Sequence, residues 1–140
     1  MAQPVREIMA QQVRTCPTTA PLVDAARIMR DDDVGDVIVV KDDGTVCGIV
    51  TDRDVTIRAV AEGRDVVATS VDEVCSHRLV TVSPDDDTEQ AARLMRQHAV
   101  RRLPVTVDGK PVGAISLGDL AIERDPQSAL AEISAQPGNE

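Results

Sequence analysis

Two stretches of this chain are nearly identical. "AARIMR" at residues 25–30 and "AARLMR" at residues 91–96 differ only at Ile28 and Leu94. Sliding the chain by 66 positions also brings Thr15 onto Thr81 and Val34 onto Val100. One residue drops out where "KDDG" (41–44) faces "VDG" (107–109). Beyond that turn the offset is 65, pairing Gly44 with Gly109, Gly48 with Gly113, Asp54 with Asp119 and Ile57 with Ile122. A register that survives a one-residue deletion inside a turn marks two copies of one structural unit, which constrains the fold more than any local propensity.

Each copy has the same plan. A short β segment, "VRTC" or "LVTV", leads through Ser, Thr, Pro and Asp into a helix. Leu22, Ala25, Ala26 and Met29 recur at helical spacing, as do Thr88, Ala91, Ala92 and Met95, so each helix carries one apolar stripe. Pro21 suits a first helical turn, and Asp87 followed by Gln90 suits a capping box. A β-hairpin follows: "DVIVV" turns through "KDDG" into "TVCGIV", and "RLPVTV" turns through "DG" into "KPVGAI". The second helix is "RDVTIRAVAEG" in copy one, closed at Gly63, and "LGDLAIERD" in copy two, stopped by Pro126. The expected organisation is repeat one at 1–63, a linker at 64–70, repeat two at 71–125, and a short helix with a frayed tail at 126–140. A unit of about 60 residues buries too little surface to be robust alone. The expectation is therefore an α+β fold, two pseudo-twofold-related β-α-β-β-α repeats packed sheet to sheet as one compact module.

Composition narrows the function. Hydrophobic residues make up 42% of the chain, yet Phe, Tyr and Trp are absent, so the core must be built from Val, Ile, Leu, Met and Ala. A net charge of −9 argues against nucleic acid as the main partner, because phosphate backbones require clustered Lys and Arg. No apolar run reaches the ~18–20 residues that span a bilayer. "MAQPVREIMAQQ" lacks a signal peptide's apolar core, so the expected compartment is the cytoplasm and no membrane partner is expected. Cys16, Cys47 and Cys75 are odd in number and show no CxxC spacing, which disfavours a disulfide framework.

The hairpins run into the second helices through "GIVTDRD" (48–54) and "GAISLGD" (113–119). Both reduce to Gly, two apolar residues, a hydroxyl, two variable residues and Asp. Thr51 and Ser116 stand where a strand opens into a helix, beside amides that attract anions. Asp54 and Asp119, one turn on, have the spacing to accept hydrogen bonds from ribose hydroxyls. Equally, Thr51 and Ser116 are good N-caps followed by dipole-favoured acids.

These tandem motifs, the "RRLPV" that precedes the second, and the β-α-β-β-α order resemble a pair of CBS domains, a Bateman module, over roughly residues 3–123. The resemblance implies a non-catalytic regulatory module that binds an adenine nucleotide (AMP, ADP or ATP) or a related adenosine metabolite between the copies, with no obligatory cofactor. It carries the hydroxyl and ribose roles to Thr51 and Asp54 and to Ser116 and Asp119. It carries adenine contacts to Thr15–Pro17, Val37–Ile38, Thr81–Ser83 and Leu103–Pro104 (that is, Thr15, Pro17, Val37, Ile38, Thr81, Ser83, Leu103 and Pro104). It also implies a homodimer, whose contacts would involve the apolar faces near 55–60 and 120–124, and output through a separate protein partner.

The copies differ in charge. Copy two has Arg101 and Arg102 before its strand, where relatives often carry phosphate ligands, while copy one has Gly35 and Asp36 there. Arg53 lies inside the first motif, and Gly118 holds the equivalent place in the second. The clefts are thus expected to be unequal, with at most one suited to a phosphorylated ligand. The rival reading is an interaction module that has lost its ligand. A third, metal- or redox-linked reading uses Cys16, Cys75 and His77; two candidate ligands in Cys75 and His77 fall short of a tetrahedral set, and no metal site is assigned. Cys47 reads as a small buried hydrophobe. No P-loop and no nucleophile with a base stands at a motif spacing, so no catalytic residue is assigned.

Overall fold

A computed structural model of the chain describes residues 3–125 and 127–136. Pro126 and residues 137–140, expected as a helix stop and part of a frayed tail, lie outside the described residues. The fold is α+β, with the expected repeat written twice. In the first copy β1 (Thr15–Pro17) leads to α1 (Leu22–Asp32), the hairpin β2 (Asp36–Val40) and β3 (Val46–Thr51), and then α2 (Asp52–Asp54). In the second, α3 (Thr88–His98) is followed by β4 (Arg102–Val107), β5 (Lys110–Ser116) and α4 (Leu117–Arg124), with a last helix α5 at Ala129–Ser134. One sheet has the order β1-β2-β3, with β1 parallel to β2 and β2 antiparallel to β3. The other is the β4-β5 pair.

The copies agree in detail. Asp33 (φ 54°, ψ 50°) and Ala99 (φ 53°, ψ 41°) end α1 and α3 in the left-handed conformation. The Val34 amide then bonds to Met29 O and the Val100 amide to Met95 O, each at 3.1 Å. The second hairpin turns through Asp108 and Gly109, both at positive φ (52° and 79°), the geometry that an Asp-Gly bend favours.

Four expectations need correction. "LVTV" forms no strand; Val82 makes only an isolated parallel bridge to Val105. In copy one the Ile38 amide donates to Arg14 O, but Pro104 holds the equivalent place in copy two and has no N–H to donate. Asp87 does cap α3, yet it accepts from the Glu89 amide, while Gln90 accepts from Arg93 instead of closing a box. Pro21 is the N-cap of α1, one residue outside the helix. The second helix of copy one is α-helical only over Asp52–Asp54 and continues as a π-helix, Val55–Val60.

The chain forms two compact units, and they are not its contiguous halves. Residues 13–79 with 108–110 form one; residues 3–12, 80–107 and 111–136 belong to the other. The opening strip of each repeat has crossed over. Residues 5–10 pack with the second hairpin, where Ala10 and Ala114 exchange backbone hydrogen bonds (2.8 and 3.0 Å). Residues 71–76 pack with the first, where Ile49 and Ser76 do the same (3.2 and 2.9 Å). The motif glycines make room for this. A Cβ at Gly48 would lie 2.1 Å from Ser76 O, and one at Gly113 2.8 Å from Ala10 O.

Each unit has its own core. Val71, Val74 and Cys75 join Leu22, Ala25, Val37, Val39 and Val50 in the first. Val5 joins Val82, Ala91, Met95, Leu103, Val105, Ile115 and Leu120 in the second. The largest fully buried side chains are all Leu, Ile or Val, each worth about 1.5–3 kcal/mol on burial.

Candidate functional site at the hairpin–helix junctions

The two motifs build the same junction. Thr51 (φ −113°, ψ 164°) and Ser116 (φ −113°, ψ 163°) leave their strands extended and cap the helices that follow. Thr51 Oγ1 accepts from the Asp54 amide at 3.1 Å, and Asp54 Oδ2 accepts from the Thr51 amide at 2.9 Å. Ser116 Oγ accepts from the Asp119 amide at 3.1 Å, and Asp119 Oδ2 accepts from the Ser116 amide at 2.9 Å. Each pair is a capping box, and each carboxylate spends one oxygen on it. Hydroxyl and carboxylate are thereby fixed together at a helix start, where the backbone dipole favours an anion.

The charge around the junctions differs. Arg58 Nε stands 3.8 Å from Asp54 Oδ1, whereas the position equivalent to Arg58 in copy two is Glu123. No i,i+4 cation therefore competes for Asp119. The residue preceding each second strand is tied to the junction: Gly35 O accepts from the Asp52 amide (3.0 Å), and Arg101 O from the Leu117 amide (2.8 Å). Arg101 and Arg102 are exposed beside the second junction, while Asp36 is paired with Thr51 across β2–β3 in the first. Arg53 is exposed on α2. Its counterpart Gly118 sits where a Cβ would lie 2.6 Å from Ser134 Oγ, so close packing of α5 on α4 accounts for that glycine.

The remaining sequence candidates fall into two groups. In the first unit Thr15 pairs with Ile38 and Pro17 with Val40, so these residues share the parallel edge of the sheet. In the second, the Val82 amide donates to Pro104 O, which ties Thr81–Ser83 to Leu103–Pro104. Val37 and Leu103 point into the two cores and are fully buried, leaving only their backbones for a ligand. A cleft of about 530 Å³ lies within the second unit between α3 and α4, lined by Met95, Val100, Arg101, Leu117 and Leu120 among others. It shares Arg101 with the junction, but neither Ser116 nor Asp119 lines it.

The thiols oppose a redox reading. Cys16 is buried, and desolvation, helped by Asp24, pushes its pKa up to about 11. Burial, with Cys47 and Asp72 nearby, pushes Cys75 up to about 12. Cys47, expected to be buried, is half-buried on β3, and its side chain meets Asp72, a contact between residues 25 apart that sequence spacing does not announce. No helix among the described residues is long and apolar enough to cross a membrane.

Comparison with known proteins gives concordant results. The family model for the CBS domain matches twice, at residues 5–60 and 71–124. The CBS domain-containing protein YhcV of Bacillus subtilis (strain 168) is 40% identical over 136 residues, covering 94% of this chain and 96% of the relative. The crystal structure of Hypoxic Response Protein I, with two coordinated zinc ions, is 29% identical, with a TM-score of 0.78 over 85% of this chain and 97% of that one. The same fold at 19% identity is found in protein MJ0100, solved with 5′-methylthioadenosine and S-adenosyl-L-methionine (TM-score 0.80, covering 91% of this chain and 100% of that one).

Proposed function

The chain belongs to the CBS-domain family, with two copies in tandem, and on that premise we propose that it is a non-catalytic regulatory module that binds an adenine nucleotide or related adenosine metabolite. Binding centres on the hairpin–helix junction of the second repeat. The carrying observation is the inequality of two junctions with the same backbone geometry. At the second, Asp119 faces no i,i+4 cation and can receive ribose hydroxyls, while Arg101 and Arg102 supply positive charge for a phosphate. At the first, Arg58 occupies the Asp54 carboxylate and Asp36 replaces an arginine. Thr81–Ser83 and Leu103–Pro104 offer backbone groups and aliphatic surface to the base. Thr15–Pro17, Val37–Ile38, Thr51, Arg53 and Asp54 form the weaker counterpart. The ligand acts by binding one state of the module more tightly than another, and output passes to a homodimer interface or a protein partner. Ile57 and Val60, 48% and 62% exposed on the second helix of copy one, are the apolar surface for that contact. That surface also favours a second reading, an interaction module with no ligand.

A dye-reported thermal melt against AMP, ADP, ATP, NAD and S-adenosylmethionine separates the two. Ligand at 100 times its dissociation constant adds about 2.7 kcal/mol, a shift of several degrees at this size. The proposal expects the shift in the wild type and its loss in Arg101→Glu/Arg102→Glu. No shift with any ligand, from nucleotide-free protein, leaves the interaction module standing.

A further inference from the structure

Four side chains of metal-ligand type lie close together in the first unit; the capping junctions use none of them, and of the four only Cys75 also packs in the core. Cys47 projects from β3, Asp72 from the short 3-10 turn at Val71–Glu73, and Cys75 and His77 from the strip that follows. One ligand atom each from Cys47, Asp72 and His77 lies within 4.8 Å of the others, and Cys75 stands outside that mutual set, approaching it at His77. His77 Nε2 is 2.8 Å from Asp72 Oδ1, Cys47 Sγ is 3.7 Å from the same oxygen, and Cys75 Sγ is 3.5 Å from His77 Nε2. We infer that Cys47, Asp72, Cys75 and His77 form a binding site for one zinc ion.

Geometry and chemistry both carry this. With zinc bonds of about 2.3 Å to sulfur and about 2.0–2.1 Å to nitrogen or oxygen, the edges of a tetrahedral site run from about 3.4 to about 3.8 Å. The Cys47–Asp72 and Cys75–His77 contacts already fall in that range, the His77–Asp72 pair opens by roughly half an ångström to admit the ion, and Cys75 moves inward to complete the set as the fourth ligand. Two thiolates, an imidazole and a carboxylate make a borderline-soft set that suits zinc over calcium or magnesium. Zinc takes the place of both thiol protons, which leave to solvent. The Ile49–Ser76 backbone bridge fixes the strip against β3, so Cys47, Asp72 and His77 are placed together by the fold before any ion arrives. His77 and Asp72 are about half exposed (53% and 50%), which leaves a path for entry.

The internal repeat supplies a control. The equivalents of Cys47, Asp72, Cys75 and His77 in the other copy are Val112, Arg6, Met9 and Gln11. The fold therefore forms the same backbone contact without any of these ligands, and the cluster belongs to one copy alone.

The test uses the full chain, stripped with a chelator and titrated with Zn²⁺, and with Co²⁺ as a spectroscopic stand-in. The expected result is one zinc per chain and a thiolate-to-cobalt charge-transfer band, which no aromatic residue obscures. His77→Ala and Cys47→Ser should each weaken zinc by more than about 100-fold, beyond the 10–100-fold that losing a merely supporting group costs. His98→Ala, the other histidine, should leave affinity unchanged. Metal-free melts of each variant confirm that it folds. Failure to retain stoichiometric zinc, absence of the cobalt–thiolate band, or wild-type affinity in folded His77→Ala would overturn the assignment.

Discussion

Gly48→Ala tests how the crossed strip at residues 71–76 is held within the first unit. The new Cβ would lie 2.1 Å from the Ser76 carbonyl oxygen and 3.1 Å from its carbon. Both are backbone atoms, so no side chain can swing aside. Relief requires the Ile49–Ser76 bridge to open, which gives up two hydrogen bonds of 3.2 and 2.9 Å. At about 1 kcal/mol each they contribute about 2 kcal/mol. The strain of overpacking adds about 1–3 kcal/mol, partly through Val71, Val74 and Cys75, which the strip carries into the core. The total is about 3–5 kcal/mol, which lowers the melting temperature by roughly 10–20 °C for a chain of this size. Two substitutions calibrate it. Gly113→Ala meets Ala10 O at 2.8 Å and the flexible Met9 Sδ at 2.7 Å, and should cost less. Gly63→Ala meets nothing within 4 Å and pays only for its φ of +69°, about 1–2 kcal/mol. Urea unfolding followed by far-ultraviolet circular dichroism measures all three. A Gly48→Ala cost no larger than that of Gly63→Ala would refute the reasoning.

Three further predictions follow from local geometry. Ala99→Gly should stabilise the protein by about 0.5–1 kcal/mol in the same unfolding assay, because Ala99 ends α3 at φ 53° where glycine carries no Cβ penalty. Ser116→Ala removes the acceptor for the Asp119 amide and should cost about 1 kcal/mol in urea. The Cys16 thiol, held near pKa 11 by burial, should resist iodoacetamide at pH 8 in the native state, with about one thiol in a thousand ionised. Because that folded pKa lies above the ordinary thiol value, Cys16 supports stability below about pH 9; the support is lost as pH rises through about 11, which a melting-temperature series at high pH should show.

The repeat made much of this fold legible in advance. The one-residue shift at "KDDG" and "VDG" located both hairpins, and the spacing of Thr51 to Asp54 and Ser116 to Asp119 is the spacing of the capping boxes observed. Periodicity placed Leu22, Ala25, Ala91 and Met95 on buried faces. What stayed hidden depends on contacts distant in sequence. Nothing near Val5 or Val71 says that each strip pairs with the other copy's hairpin, and the room that Gly48 and Gly113 leave for it is visible only in the structure. The loss of the "LVTV" strand traces to Pro104, more than 20 residues away. The π-helical stretch Val55–Val60 has no sequence signature of its own. Cys75 and His77 were visible as a pair, but Cys47 and Asp72 gather around His77 only because Ile49 bridges Ser76.

The central claim, that the second junction is the working ligand site, is tested most directly by isothermal titration of AMP and ATP into nucleotide-free protein. The titration compares the wild type, Thr51→Ala/Asp54→Ala and Ser116→Ala/Asp119→Ala, each first shown to be folded. The account predicts that at least one nucleotide binds the wild type, that the first-junction variant keeps that binding, and that the second-junction variant loses it. No heat of binding in the wild type, or loss of binding only in the Thr51→Ala/Asp54→Ala variant, would contradict it.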